Sequence, residues 1–228
     1  VADTVLATIW KVIQPDGTAA ALKIYKAGTA GEESPGFALL DAWNGTGAAR
    51  LLGRTKGAAL LEWVDGPSLG DLARAGQDVA ATHALGGVMQ QLHSMPVPVA
   101  VRLPTLTNRF AALTTARIAP TCPPTTRITI MAAQQLADQL LRTQTDIRPL
   151  HGDLHHDNIQ NSARGSLAFD AKGVSGERCY DLANALRNPV GAEALYRKSD
   201  VIMRRTRVWA QQCDLSEKRL LQWAAAHS

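Results

Sequence analysis

HGDLHHDN, residues 151–158, gathers three histidines, two aspartates and an asparagine into eight positions. His151 and His155 stand four apart, the spacing that lets two imidazoles share a zinc ion on one helical face. Gly152 interrupts any such helix, the glutamate of H-E-x-x-H is missing and no third ligand follows, which argues against zinc. A polar helix cap would explain the composition of an isolated segment, but this one is followed by more pattern. NIQNSARGSLAFDAKG, residues 158–173, holds two short strand-like runs, 158–161 and 167–170, around the turn-rich SARG.

A hairpin centred on Arg164 sets Asn158 opposite Asp170, pairing an amide carbonyl with a carboxylate. Such hard oxygen ligands suit Mg²⁺, which takes one or two carboxylates and completes its shell with water and phosphate oxygens. Asp153, five residues before Asn158, then lies beside the metal as a carboxylate able to accept a hydroxyl proton. Phosphoryl transfer also requires a cation on the phosphates. The start of the chain offers Lys23: the runs at 4–13 and 18–26 flank QPDG, a hairpin signal, and a turn centred on Asp16 and Gly17 puts Lys23 opposite Trp10.

Working outward, acids at Glu32 and Glu33 precede an apolar, helix-compatible run that stops at Asn44–Gly45. Strand-like AARLLG and GAALLEWV follow, so residues 1–64 read as a small sheet lobe with one helix. Beyond a hinge near 62–67 the class changes. Ala81, Leu85, Val88, Met89 and Leu92 mark one face of an amphipathic helix, and Ala133, Leu136, Ala137 and Leu140 mark a second helix near 129–143. Between them, 95–127 is proline-rich and reads as loops around a short helix, while about 191–211 and 216–226 again read helical. Residues 65–228 are thus a helical lobe carrying the polar cluster, and the whole is α+β.

HGDLHHDN with FDAKG 12 residues on resembles the small-molecule kinases related to protein kinases. More narrowly, LLDAWNGTGAARLL, LLEWVDGPSL and FDAKGVSGERCYDLANALRNP resemble the aminoglycoside and hydroxyurea resistance kinases over essentially the whole chain. The resemblance implies a two-lobed protein-kinase-like fold and transfer of the γ-phosphate of ATP, with Mg²⁺, to a hydroxyl of a small molecule such as streptomycin. It makes Asp153 the catalytic base, Asn158 and Asp170 the metal ligands, and Lys23 the residue on the α- and β-phosphates. Glu33, with Glu32 as competitor, is expected to pair with Lys23, and the backbone of Glu62 and Val64 to meet adenine. His151, His155 and Asp181 are expected to brace the loop, His156 to be incidental, and His83 and His93 to be surface or packing residues. The resemblance would place a glycine-rich phosphate turn ahead of the strand of Trp10, but the chain starts only a few residues before that strand, so part of the nucleotide lid and family segments after the last helix are expected to be missing.

Composition narrows the alternatives. A net charge of +4 with 19% charged residues is only mildly basic, and Arg204, Arg205 and Arg207 read as a solvated helix face, so nucleic acid is not implied. Cys122, Cys179 and Cys213 are scattered and odd in number, which fits a reducing cytoplasm. Neither a signal peptide nor a membrane span is visible, and a monomer is expected. A guanidinium-bearing acceptor would want an acidic pocket, for which Asp71, Asp78, Asp138 and Glu193 are the available acids. A silent nucleotide-binding relative is the rival from another class. A protein kinase is disfavoured because only ten residues, Lys172 to Asp181, stand where an activation segment would be.

Overall fold

The computed structural model describes residues 2–98 and 101–227. Its first part is a five-stranded antiparallel sheet in the order β1-β2-β3-β5-β4, formed by β1 (Ala2–Asp3), β2 (Ala7–Ile13), β3 (Ala19–Tyr25), β4 (Leu51–Arg54) and β5 (Ala58–Glu62). The β2–β3 register differs from expectation by one residue: Lys23 faces Ile9, and Trp10 faces Leu22. A five-residue loop, Gln14–Thr18, causes the shift. Its N–H of Gln14 bonds the Thr18 carbonyl, and the Asp16 carboxylate accepts the Thr18 N–H at 2.9 Å. Because strand faces alternate, the slip sends Trp10 to the outer face, 45% exposed, and leaves Ile9 beside Lys23. The turn ahead of β2, Thr4–Leu6, is closed by side-chain and backbone bonds between Thr4 and Ala7.

Helix α1 (Gly36–Trp43) ends as read, with Asn44 in the left-handed region at φ 43° and its N–H on the Leu40 carbonyl. After β5 the chain crosses to the helices. α2 (Leu69–Arg74) opens on a Ser68–Asp71 capping box, and α3 (Asp78–Ser94) buries Ala81, Leu85, Val88, Met89 and Leu92. α4 (Leu106–Thr114) is fixed by a Thr105–Asn108 capping box, and α5 (Pro124–Arg142) starts five residues before the expected helix, with proline at its first turn. The expected tail helix at 191–211 is two elements, α6 (Glu193–Tyr196) and α7 (Ser199–Cys213), and α8 (Glu217–His227) closes the bundle. Trp209 of α7 donates its indole N–H to the Thr82 carbonyl of α3 at 2.8 Å, and Trp223 of α8 is fully buried.

Two small ribbons carry the polar stretch. β6 (Ile147–Leu150) pairs with β9 (Val174–Glu177), and β7 (Ile159–Ser162) pairs with β8 (Gly165–Ala168). Residues 151–158 therefore form the loop between two ribbons, anchored at both ends. The β7–β8 turn is the two-residue Ala163–Arg164, half a residue earlier than expected. Asn158 therefore faces Phe169, whose N–H bonds its carbonyl at 3.0 Å, and Asp170 is one step further. The sheet part and the helical part touch along this ribbon: Ala49 N–H bonds the Ala168 carbonyl and Gly66 N–H bonds the Asn161 carbonyl. Among the described residues, no helix is long and apolar enough to cross a membrane, and the three cysteines are free.

Candidate active site

Lys23 is buried at the inner face of β3, and its Nζ lies 2.7 Å from Glu33 Oε2 and 2.8 Å from Asp170 Oδ1. Burial alone would lower its pKa, but the Asp170 and Glu33 carboxylates outweigh that and raise it, so the ammonium stays charged. Glu33 is buried on the turn before α1 and also accepts from Tyr25 Oη at 2.8 Å and from Lys172 Nζ at 2.9 Å. Burial pushes its carboxyl up, and Lys23 and Lys172 more than reverse this, holding it below the ordinary range. Glu32 faces outward instead and pairs with Arg109.

The loop itself hangs from a buried frame. Gly152 at φ +82° reverses the chain after β6, a conformation that side-chain-bearing residues avoid. Asp181 lies fully inside and accepts the N–H of His151 at 3.1 Å, the N–H of Gly152 at 2.8 Å and a bond from His93 Nε2 at 2.9 Å. Those partners overcome burial and keep its carboxyl below the usual range. His151 accepts the Asp153 N–H on Nδ1, so its Nε2 carries the proton and donates to the Phe169 carbonyl at 3.0 Å. Its ring stacks on Trp43 at 6.2 Å, which ties α1 to the loop. Burial lowers the pKa of His151 and of His155, keeping both neutral; His155 caps the Asp157 N–H and sits 3.8 Å from Asp153.

Asp153 points its Oδ1 to Asn184 Nδ2 at 2.8 Å and lines a cavity of about 660 Å³. Asn158 spends its amide N–H on the Asp153 carbonyl at 3.0 Å, with a second contact to Oδ2 at 3.4 Å. Among the described residues this leaves Asn158 Oδ1 and Asp170 Oδ2 without partners, two hard oxygens on adjacent positions of one ribbon. The donor set fits Mg²⁺. Asp170 itself is left-handed at φ 60°, which turns it out of the strand line towards Lys23.

A second cavity, about 220 Å³, lies under the sheet between Ile9, Ala21 and Lys23 above and Phe169 and Asp170 below, with Glu62, Trp63 and Val64 along its edge. Val64 makes no backbone hydrogen bond among the described residues, so its N–H and C=O remain available to a planar ring. The Glu62 carboxylate is occupied by Arg164 at 2.5 Å and the Arg50 N–H at 3.1 Å.

Several contacts were not legible beforehand. Tyr25, Trp43, His93, Lys172 and Asn184 all touch candidate residues, but only their place in the fold reveals it. His156, read as incidental, is fully buried against Trp209, with neither ring nitrogen hydrogen-bonded, and burial followed by the nearby Arg205 charge pushes its pKa down to about 3. Arg205, read as solvated, is fully buried on Asp78. None of the four acids considered for the acceptor lines the cavity beside Asp153. Asp78 is buried on Arg204 and Arg205, Asp71 pairs with Arg74, Asp138 with Arg142, and Glu193 stays near Tyr196.

This assembly of sheet and helices is a protein-kinase-like fold. It matches a thermostable mutant of aminoglycoside phosphotransferase APH(4)-Ia, in ternary complex with AMP-PNP and hygromycin B, with a TM-score of 0.64 at 10% identity, covering 100% of this chain and 82% of that one. The sequence model of the aminoglycoside/hydroxyurea antibiotic resistance kinases matches residues 1–228, and the chain belongs to that family. It is 36% identical to the streptomycin 3''-kinase of Klebsiella pneumoniae over 160 residues, 69% of this chain and 58% of that protein. It is 29% identical to the streptomycin 6-kinase of Streptomyces griseus over 222 residues, 94% of this chain and 70% of that protein. The chain thus spans 58% of the Klebsiella protein's length.

Proposed function

We propose that this chain transfers the γ-phosphate of ATP to a hydroxyl of a small molecule, with streptomycin the first acceptor to test. The observation that carries the reading is a chain of contacts: Lys23 pairs with Asp170, 147 residues away, and Asn158, beside Asp170 on the same ribbon, bonds Asp153, which lines the neighbouring cavity. Adenine would lie against the free backbone of Val64, and the phosphates would run towards Lys23. Asn158 and Asp170 would hold Mg²⁺, which when bound offsets charge on the phosphate oxygens. Asp153, oriented by Asn184, takes the acceptor's proton as its oxygen bonds to the γ-phosphorus. The bond to the β,γ-bridging oxygen breaks, and ADP leaves with the electron pair.

The test is ADP release over a panel of acceptors, with Asp153→Asn as control. This near-isosteric change should lower turnover by about 10²- to 10⁴-fold while Mg·ATP affinity moves far less. No ADP release with any acceptor, despite measurable Mg·ATP binding, would leave a nucleotide-binding protein without transfer activity.

A second acceptor class has its own support. The cavity beside Asp153 is lined by Arg187, Arg197, Asn184, Asn188 and Tyr196, with Asp153 its single acid. That lining suits a neutral or anionic polyhydroxyl metabolite better than a polycation, so sugars and hydroxy acids belong in the panel beside aminoglycosides, hydroxyurea and amino alcohols.

A further inference from the structure

Glu33 holds two lysines, one on each oxygen. Lys23 and Tyr25 share Oε2, and Lys172 takes Oε1 at 2.9 Å with its side chain only 15% exposed. Lys172 is also tied through its backbone: its own N–H and that of Gly173 both donate to the His151 carbonyl, at 2.8 and 3.1 Å. One residue thus joins the turn before α1, the Asp170 segment and the loop of Asp153.

The two segments it joins are in direct backbone contact. A Cβ on Gly36 would fall 1.8 Å from the Ala171 carbonyl oxygen, and one on Gly173, at φ +69°, would fall 2.7 Å from the Gly36 nitrogen. No side chain separates them, so Lys172 meets Glu33 at a fixed distance.

From this arrangement we infer that Lys172 is a positioning residue for Lys23, acting through Glu33; the inference rests on the nucleotide reading above. Four charges balance in the cleft: Lys23 and Lys172 against Glu33 and Asp170. Engaging phosphate requires Lys23 to exchange Asp170 for phosphate oxygens while Glu33 keeps hold of it. With Lys172 on Oε1, Glu33 guides Lys23 through a single oxygen. Without Lys172, the full carboxylate charge acts on Lys23, and a buried oxygen loses its partner.

Calorimetric titration with Mg·AMP-PNP of wild type, Lys172→Met, Lys172→Arg, Glu33→Gln and the Glu33→Gln/Lys172→Met double variant tests this. Melting temperatures recorded alongside identify the folded variants. Lys172→Met should weaken binding about tenfold, the scale of one charge-assisted hydrogen bond. Lys172→Arg should recover most of the loss, and Lys172→Met should add nothing once Glu33 is Gln. Wild-type affinity in Lys172→Met, or an equal loss in the Glu33→Gln background, overturns the inference and leaves the nucleotide reading intact. A wild-type protein that does not bind Mg·AMP-PNP overturns both.

Discussion

Among the buried ionic clusters of the described residues, two make a contrast. In the cleft, Lys23, Glu33, Asp170 and Lys172 interlock; in the helical part, Asp78 meets Arg204 at 2.6 Å and Arg205 at 2.5 Å. Both are tightly paired, yet they differ in what remains unspent. Arg205 gives its other donors to the carbonyls of Ala185 and Asn188, at 3.0 and 2.7 Å, and both oxygens of Asp78 are taken. Apart from the buried Nε of Arg204, which lacks a partner among the described residues, that cluster is closed. Among the described residues, the cleft cluster keeps a third N–H on Lys23 and an oxygen on Asp170 without partners, next to a cavity. Burial and short ion pairs therefore do not mark a site; unsatisfied valence facing open space does.

Cutting the closed cluster should have the largest effect. Arg205→Met strands the Asp78 carboxylate and should cost about 3–5 kcal/mol of stability in urea unfolding, with turnover per folded molecule unchanged. Lys23→Met should do the reverse. Turnover should fall by about 10²- to 10³-fold, roughly 3–4 kcal/mol in the barrier, while stability drops less because Lys172 still pairs with Glu33. A stable but inactive Arg205→Met, or an unfolded Lys23→Met, would erase the contrast.

The eight-residue stretch that decided the fold spans both clusters. His151 and His155 belong to the cleft, whereas His156 packs on Trp209 within the electrostatic reach of Arg205 and Asp78. Its depressed pKa makes it a pH probe of the closed side. The unfolded imidazole takes up a proton below about 6.5, while the folded one resists down to about 3, so its contribution is complete above pH 6.5 and is lost as pH falls through that window. Between pH 7 and pH 5 the loss from this residue should be about 2 kcal/mol, and His156→Leu should remove that part of the slope in denaturant titrations. The smallest effect sets the baseline: Asp138–Arg142 is an exposed i,i+4 pair, and Arg142→Ala should change stability by no more than about 0.5 kcal/mol.

The sequence made local pattern and motif order legible. The buried face of α3, the Asn44 stop and the succession of Lys23, Asp153, Asn158 and Asp170 all rest on neighbours in the chain. What escaped depends on distance or on turn geometry. Both hairpins form one residue out of the register that their turn signals predict, because a Pro-Asp-Gly signal fits a five-residue loop as well as a tight one, and SARG fits two centres. α2 has six residues, too few to show a period. β6 contains Pro149 and does not alternate. Arg205 looked solvated because a run of arginines says nothing about an aspartate 127 positions away. Lys172 stood in the quoted FDAKG, but its role needed Glu33, 139 residues upstream.

Trp63 gives the cleft an optical readout. Of the five tryptophans, Trp43, Trp209 and Trp223 are buried in the core and Trp10 lies on the outer face of β2. Trp63 lines the cavity edge with Lys11 Nζ 4.7 Å from its ring and its indole N–H on Asp65. A purine arriving beside it would displace water and disturb both contacts. Its emission should shift in colour and intensity, making occupancy of the cleft visible as intrinsic fluorescence, without a label and before any phosphate moves.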